Sequence, residues 1–109
     1  MKRFRDTEYF VTENGDVYRN GKKRKTKIHK QGYIRITLTI NGKQYTPLLH
    51  RLVAETYLPN PNNLREVDHL DFNKQNNHYS NLEWVTHSEN MLRAHRAGRI
   101  NVRNQYSKK

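Results

Sequence analysis

The stretch VDHLDFNKQNNHYSNLEWVTHSEN, residues 67–90, holds three kinds of side chain that could act together on one substrate. Asp68 offers a carboxylate and Asn90 an amide oxygen, both hard donors. Two such donors cannot cage an ion alone, which suits a divalent cation that keeps its waters and takes phosphate oxygens from a substrate. Mg²⁺ is the first choice, with Mn²⁺ or another divalent ion as the alternative. His69 adjoins Asp68, and its imidazole has an unperturbed pKa of about 6.5. As a neutral base it can deprotonate a water beside such an ion. Asp, His and Asn in these places can therefore hydrolyse a phosphodiester. An isolated Asp-His pair is more often a turn cap beside a hydrogen-bonded histidine, so the distant Asn90 carries the weight. His69, His78 and His87 recur at equal intervals and invite a three-His zinc site. That site is disfavoured, because His78 falls in a loop and Asn90 already completes the set.

These residues need elements to hold them. Residues 66–70 read as a short strand, 71–80 as a polar loop, 82–85 as a second strand and 87–98 as a helix. Thr86 and Glu89 match a capping box, in which each side chain satisfies an amide at the other's position. Asp68 and His69 lie at a strand end, where twist lets neighbouring side chains approach a common cleft. Asn76 and Asn77 are loop formers, since Asn bonds its own backbone and tolerates left-handed conformations. Met91, Leu92 and Ala94 are expected to pack inward, with Arg93, Arg96 and Arg99 along another helix face. Trp84 is expected in the core rather than stacked on a base, and His87 against a phosphate or solvent.

Upstream, Asn14-Gly15 between residues 9–12 and 16–19 predicts a tight hairpin. In YIRITLTI, Ile34, Ile36, Leu38 and Ile40 alternate with Arg35, Thr37 and Thr39, and Asn41-Gly42 turns the chain into residues 43–46. This predicts one β-hairpin. Thr46-Pro47 reads as an N-cap and first helical position, followed by Leu49, Leu52, Val53 and Tyr57 at helical spacing until Pro59. His50 on that helix is assigned a packing or hydrogen-bonding role. Residues 21–32, GKKRKTKIHKQG, are too charged to form a strand and read as a loop. PNPNN, residues 59–63, reads as a linker by composition.

Twenty-one Lys and Arg stand against ten Asp and Glu among 109 residues, a formal net charge of +11 with pI about 10.1. Such a chain seeks a polyanion, because neutralising phosphates releases counterions whatever the base sequence. Nucleic acid is the leading partner, and Lys22, Lys23, Arg24, Lys25, Arg35, Arg93, Arg96 and Arg99 are the candidate phosphate contacts. A membrane surface is disfavoured because no segment joins a long apolar face to a basic one. There is no Cys, so disulfides, thiolate metal sites and Cys nucleophiles are excluded. No apolar run approaches a membrane span and the start MKRFRDTEYF lacks a signal-peptide core, so the chain is expected in the cytoplasm where it is made.

The pieces D-H-x-D-x-N-K-x-N-N, N-L-x-W-V-T and E-N together resemble the HNH nucleases, also called the His-Me finger or ββα-metal group. The likeness is to the free-standing homing-type branch of phages and mobile introns, and GYIRITLTINGKQYTPLLHRLVAETYLPNP resembles the region preceding the motif there. The resemblance implies Asp68 and Asn90 as metal ligands, His69 as general base, and Asn81 as the residue that holds the loop and orients His69 by hydrogen bonds. It implies double-stranded DNA as substrate, 5′-phosphate and 3′-hydroxyl ends as products, and a bacterial or phage-infected cell as host. One active site per chain implies nicking of a single strand; monomer and homodimer are both compatible with the sequence. The family loop commonly has Gly where this chain has Phe72, so the positive φ angle is expected at Asn73 instead. Larger homing enzymes add a helix-turn-helix region downstream, so low or short sequence specificity is expected.

The expected fold is α+β: a small N-terminal β-hairpin sheet with a short helix, then a ββα-metal motif. Residues 1–58 form the β-rich, DNA-contacting part, 59–63 the linker, 64–98 the ββα unit and 99–109 a basic tail, within one compact domain. Two rival readings are a basic nucleic-acid-binding module that keeps the fold without turnover and a structural protein bound to RNA.

Overall fold

A computed structural model describes residues 1–96. Four short antiparallel strands come first, β1 (Lys2–Arg3), β2 (Tyr9–Val11), β3 (Val17–Arg19) and β4 (Lys22–Lys23), paired in that order. The β2–β3 turn closes on Thr12, whose amide donates to Asp16 O at 2.8 Å and whose Oγ1 accepts from Asp16 N at 3.0 Å. Gly15 takes φ +90 there, the conformation that Asn14-Gly15 was read to supply.

The charged segment 21–32 is not wholly a loop. Lys22–Lys23 joins the first sheet, and β5 (Lys27–Ile28) pairs with β6 (Ile34–Arg35). Backbone pairing tolerates these lysines because their side chains stay exposed. The expected long hairpin is likewise divided. β6 pairs backwards with β5, whereas β7 (Leu38–Ile40) pairs forwards with β8 (Lys43–Tyr45). Between them the Ile36 amide donates to Pro47 O. The alternation still sorts the faces, since Ile36 and Leu38 are buried. Asn41 (φ 53) and Gly42 (φ 77) form the two-residue turn, both central residues at positive φ as the hairpin twist requires.

Helix α1 (Leu49–Tyr57) starts later than Thr46-Pro47 suggested, with Leu48 as N-cap and no side-chain capping bond. Residues 46–48 are drawn to the sheet: Arg35 bridges Leu48, and Arg35 Nη1 donates to Thr46 O at 3.1 Å. Leu49, Leu52, Val53 and Ala54 form its buried face. Residues 59–63 are tied into a turn in which Asn60 bonds Leu64 twice, at 2.8 and 2.9 Å. Then come β9 (Glu66–His69), a loop, a 3₁₀ turn (Tyr79–Asn81), β10 (Leu82–Val85) and α2 (His87–Arg96).

One core runs through both halves: Phe4, Val11, Ile36 and Leu52 pack in the same cluster as Val67 and Leu82. Each such fully buried aliphatic contributes about 1.5–3 kcal/mol relative to exposure. Trp84 lies half-buried against this core, its Nε1 donating to Leu58 O at 3.2 Å. Met91 and Leu92 do not pack inward as expected; they are 41% and 50% exposed. The face of α2 that meets β9 is instead the polar one, carrying Asn90 and Arg93. Among the described residues no helix is long and apolar enough to cross a membrane.

Candidate active site

β9 and β10 pair antiparallel, with Glu83 opposite Asp68 and Leu82 opposite His69. Strand alternation puts Glu66 and Asp68 on the face covered by α2, and Val67 and His69 on the face turned to α1. At the strand end both faces reach one cleft of about 270 Å³, lined by Tyr33, Asp68, His69, Lys74, Asn90 and Met91 among others. A larger cavity of about 480 Å³ lies elsewhere, lined by Lys23, Arg24, Lys25, Lys27 and Arg35. The smaller cleft brings Asp68, His69 and Asn90 together, and the larger one is lined mainly by Lys and Arg, with His29 among them.

Asp68 and His69 are buried, 4% and 3% exposed. His69 Nε2 lies 2.8 Å from Asn77 Oδ1, itself on a buried side chain. An amide oxygen only accepts, so at this contact the imidazole donates through Nε2. Behind His69 stands His50, with ring centroids 4.6 Å apart, and Tyr33 stacks on His50 at 5.2 Å. Burial, with smaller contributions from His69 and Arg51, pushes the His50 imidazole down to about 3. It is neutral at physiological pH and adds no positive charge behind His69.

The loop after β9 is built by Asp71 and Asn81. Asn81 Oδ1 accepts from the Asp71 amide at 3.0 Å, and its Nδ2 donates to Asp71 Oδ1 at 2.8 Å and Asn76 O at 2.9 Å. The described bonds of the Asn81 side chain thus fall on the loop, and Asn77 reaches the His69 ring from that loop. Asn81 ends the 3₁₀ turn with its amide facing 71 and 76. The Asn76 amide, with the Asn73 backbone and Asn81, holds the Asp71 carboxyl below the usual range. Phe72 itself takes the left-handed angle, φ 65, and Asn73 does not. Bonds on both sides force it, Phe72 N to His69 O at 3.0 Å and Asn73 N to Asp71 Oδ1 at 2.8 Å. The strain of about 1–2 kcal/mol that a side chain meets there is outweighed by the loop's other bonds.

Helix α2 begins with the capping box as read: Glu89 N donates to Thr86 Oγ1 and Thr86 N to Glu89 Oε1, both at 3.0 Å. Asn90 follows in the first turn. Its Nδ2 donates to Glu66 Oε1 at 2.8 Å, and His87 Nδ1 lies 2.6 Å from Glu66 Oε2. The Asn90 bond is the main cause, with His87, of a Glu66 carboxyl held below its ordinary range. His87 is therefore engaged with Glu66, and His78 accepts from Ser80 N at 3.1 Å, so the three evenly spaced histidines do not converge. Among the described residues no group of three or more His, Cys, Asp or Glu is placed to hold a metal. One carboxylate and one amide oxygen in a cleft suit instead a cation that retains waters and takes its remaining ligands from substrate.

Of the expected phosphate contacts, Lys22, Lys23, Arg24 and Lys25 are exposed, Lys23 lying 3.4 Å from Asp16. Arg35 is half-buried at the edge of the larger cavity. Arg93 is drawn elsewhere: its Nη1 is 2.6 Å from Glu83 Oε1 and 3.6 Å from Asp68 Oδ2, because α2 crosses two strand carboxylates. Arg96 ends α2, and Arg99 with the basic tail lies outside the described residues. Sequence reasoning missed Glu66 and the His69 partner Asn77. Glu66 stands two residues before Asp68 on the same strand face, a spacing that could have revealed it; Asn77 reaches His69 across a loop whose path no local pattern specifies.

A strand pair presenting Asp-His at its end, closed by a helix presenting Asn, is the arrangement that the HNH resemblance implies, and residues 48–92 match the sequence model of the HNH endonuclease family. The chain belongs to this family. Its relatives include the DNA endonuclease I-HmuI of Bacillus phage SP01, 42% identical over 96 residues that make up 86% of this chain and 55% of that protein. The solved structure of the HNH homing endonuclease I-HmuI superposes with a TM-score of 0.78 at 41% identity, covering 88% of this chain and 56% of that one. An uncharacterized HNH endonuclease of Acanthamoeba polyphaga mimivirus is 43% identical over 89 residues, 80% of this chain and 27% of that protein. The chain thus spans little more than half the length of I-HmuI and about a quarter of the mimivirus relative.

Proposed function

We propose that this chain is a metal-dependent DNA endonuclease that nicks one strand per active site, leaving 5′-phosphate and 3′-hydroxyl ends. The observation that carries the reading is the meeting of Asp68, His69 and Asn90 in one cleft. His69 takes the proton of the attacking water, while Asn77 at Nε2 holds the ring in place. Asp68 and Asn90 would hold the divalent cation, Mg²⁺ or Mn²⁺, which would supply charge stabilisation at the phosphate under attack and its leaving oxygen. The neutral His50 ring behind His69 lets the imidazolium form without a charged neighbour at its back. Lys74, whose Nζ donates to Gln31 O at 2.7 Å beside Tyr33, adds a cation to the cleft wall where a phosphate arrives.

The basic cavity around Lys23, Arg24, Lys25, Lys27 and Arg35 receives the DNA backbone, a contact that positions the duplex without reading its sequence. The related I-HmuI is named a homing endonuclease, and a role in mobile-element or phage DNA within a bacterial cytoplasm follows for this chain by that analogy. The test is supercoiled plasmid incubated with Mg²⁺ or Mn²⁺, with and without EDTA, beside His69→Ala and Asn90→Ala. Expected are open circles that EDTA prevents, no cutting by either variant, and unchanged DNA binding by His69→Ala. Plasmid left intact by the wild type under every divalent ion, with binding retained, supports the non-catalytic module instead.

A further inference from the structure

Asn90 can serve a cation only through Oδ1, yet an amide on a helix surface can turn either end outward. Its described hydrogen bond settles which end faces where: Nδ2 donates to Glu66 Oε1 at 2.8 Å. Turning the amide over would set Oδ1 against a carboxylate oxygen, two acceptors face to face with no proton between them. The second Glu66 oxygen is held by His87 Nδ1 at 2.6 Å, so the carboxylate cannot swing away without breaking a second contact. Glu66 and Asp68 project from the same face of β9, and α2 lies across both. The carboxylate thus pins the first turn of α2 to the strand that carries Asp68.

We infer that Glu66 is a positioning residue for the metal site: it fixes the Asn90 amide so that Oδ1, and not Nδ2, faces the cleft shared with Asp68. The inference rests on the nuclease reading above and adds to it a residue that acts through Asn90. Partners of this kind commonly change metal affinity by about 10–100-fold when removed.

The test measures metal binding directly. Wild type, Glu66→Ala, Glu66→Gln, Asn90→Ala and the double variant Glu66→Ala with Asn90→Ala are titrated with Mn²⁺ in the absence of DNA, reading the free-ion EPR signal. Circular dichroism checks the fold, and plasmid nicking is scored on the same preparations. Glu66→Ala is expected to weaken Mn²⁺ binding by about 10-fold or more. Glu66→Gln, whose amide can meet either end of Asn90, falls between wild type and Ala. The double variant binds no more weakly than Asn90→Ala, because both changes remove the same oriented oxygen. If Glu66→Ala does not fold, Glu66→Val keeps a strand-forming residue at the position and takes its place. Wild-type affinity in Glu66→Ala, or losses that multiply in the double variant, overturns the inference while leaving a nicking, EDTA-sensitive wild type intact. A wild type that neither binds Mn²⁺ nor nicks overturns the nuclease reading and this inference together.

Discussion

Lowering the pH from 7 to 5 should unfold this protein more readily, and His50 should carry much of the effect. Its ring is buried against His69 and Tyr33, and burial pushes its pKa down to about 3. In the unfolded chain the same imidazole titrates at about 6.5. The unfolded state therefore binds a proton that the native state refuses, so stability falls with pH through the window from about 6.5 to about 3, and no further below it. At pH 5 the unfolded form gains about 30-fold from this group, or about 2 kcal/mol, against a total of about 5–15 kcal/mol for an ordinary domain. Urea unfolding at pH 7, 6 and 5, followed by the fluorescence of the lone tryptophan Trp84, measures it. His50→Phe keeps an aromatic ring in the stack and cannot titrate. The wild type should lose about 2 kcal/mol more than His50→Phe between pH 7 and 5. Equal slopes for the two proteins would refute the reasoning, whatever other groups contribute.

Gly15→Ala should weaken both fold and cutting: φ is +90 there, and an added Cβ would stand 3.2 Å from Asn77 Cβ. A stability loss of about 1–2 kcal/mol is expected by thermal unfolding, with a fall in nicking kcat as Asn77 shifts from His69. Phe72→Gly should relieve the left-handed strain and leave stability unchanged or raised by up to about 1 kcal/mol in urea titration; a loss above that would mean the Phe72 ring holds the loop. Thr86→Ala removes one half of the capping box and should cost about 1 kcal/mol, visible as faster amide hydrogen exchange in the first turn of α2.

Features written in adjacent residues were legible in the sequence. Asn41-Gly42 needs only its own two φ angles, and Thr86 with Glu89 needs only one turn of helix, so both stand where they were read. The ends of β10 were equally plain, because Leu82 and Val85 are the apolar positions of a short strand bounded by Asn81 and Thr86. Legibility failed where distant groups compete for the backbone. Thr46 is a good capping residue by type, but Arg35 claims its carbonyl and the helix starts beyond it. Asn73 is the better left-handed residue by type, but bonds from His69 and Asp71 put the turn on Phe72. Asp68, His69 and Asn90 could be singled out by their chemistry. Glu66 shares a strand face with Asp68 by its spacing, but that Asn77 holds His69 depends on how the loop folds back over β9, which no spacing in the chain encodes.

The turn of the first hairpin reaches much further than its place in the chain suggests. Glu13 O accepts the Tyr79 amide at 3.0 Å, and Gly15 packs beside Asn77. Residues near the beginning of the chain therefore buttress the loop that carries Asn77. The ββα unit is for this reason not a portable cassette: grafted onto another scaffold with its own strands and helix intact, it would lose the support that places Asn77 against His69. Chains that exchange their N-terminal strands by recombination would have to carry this hairpin along with the motif, or rebuild an equivalent prop.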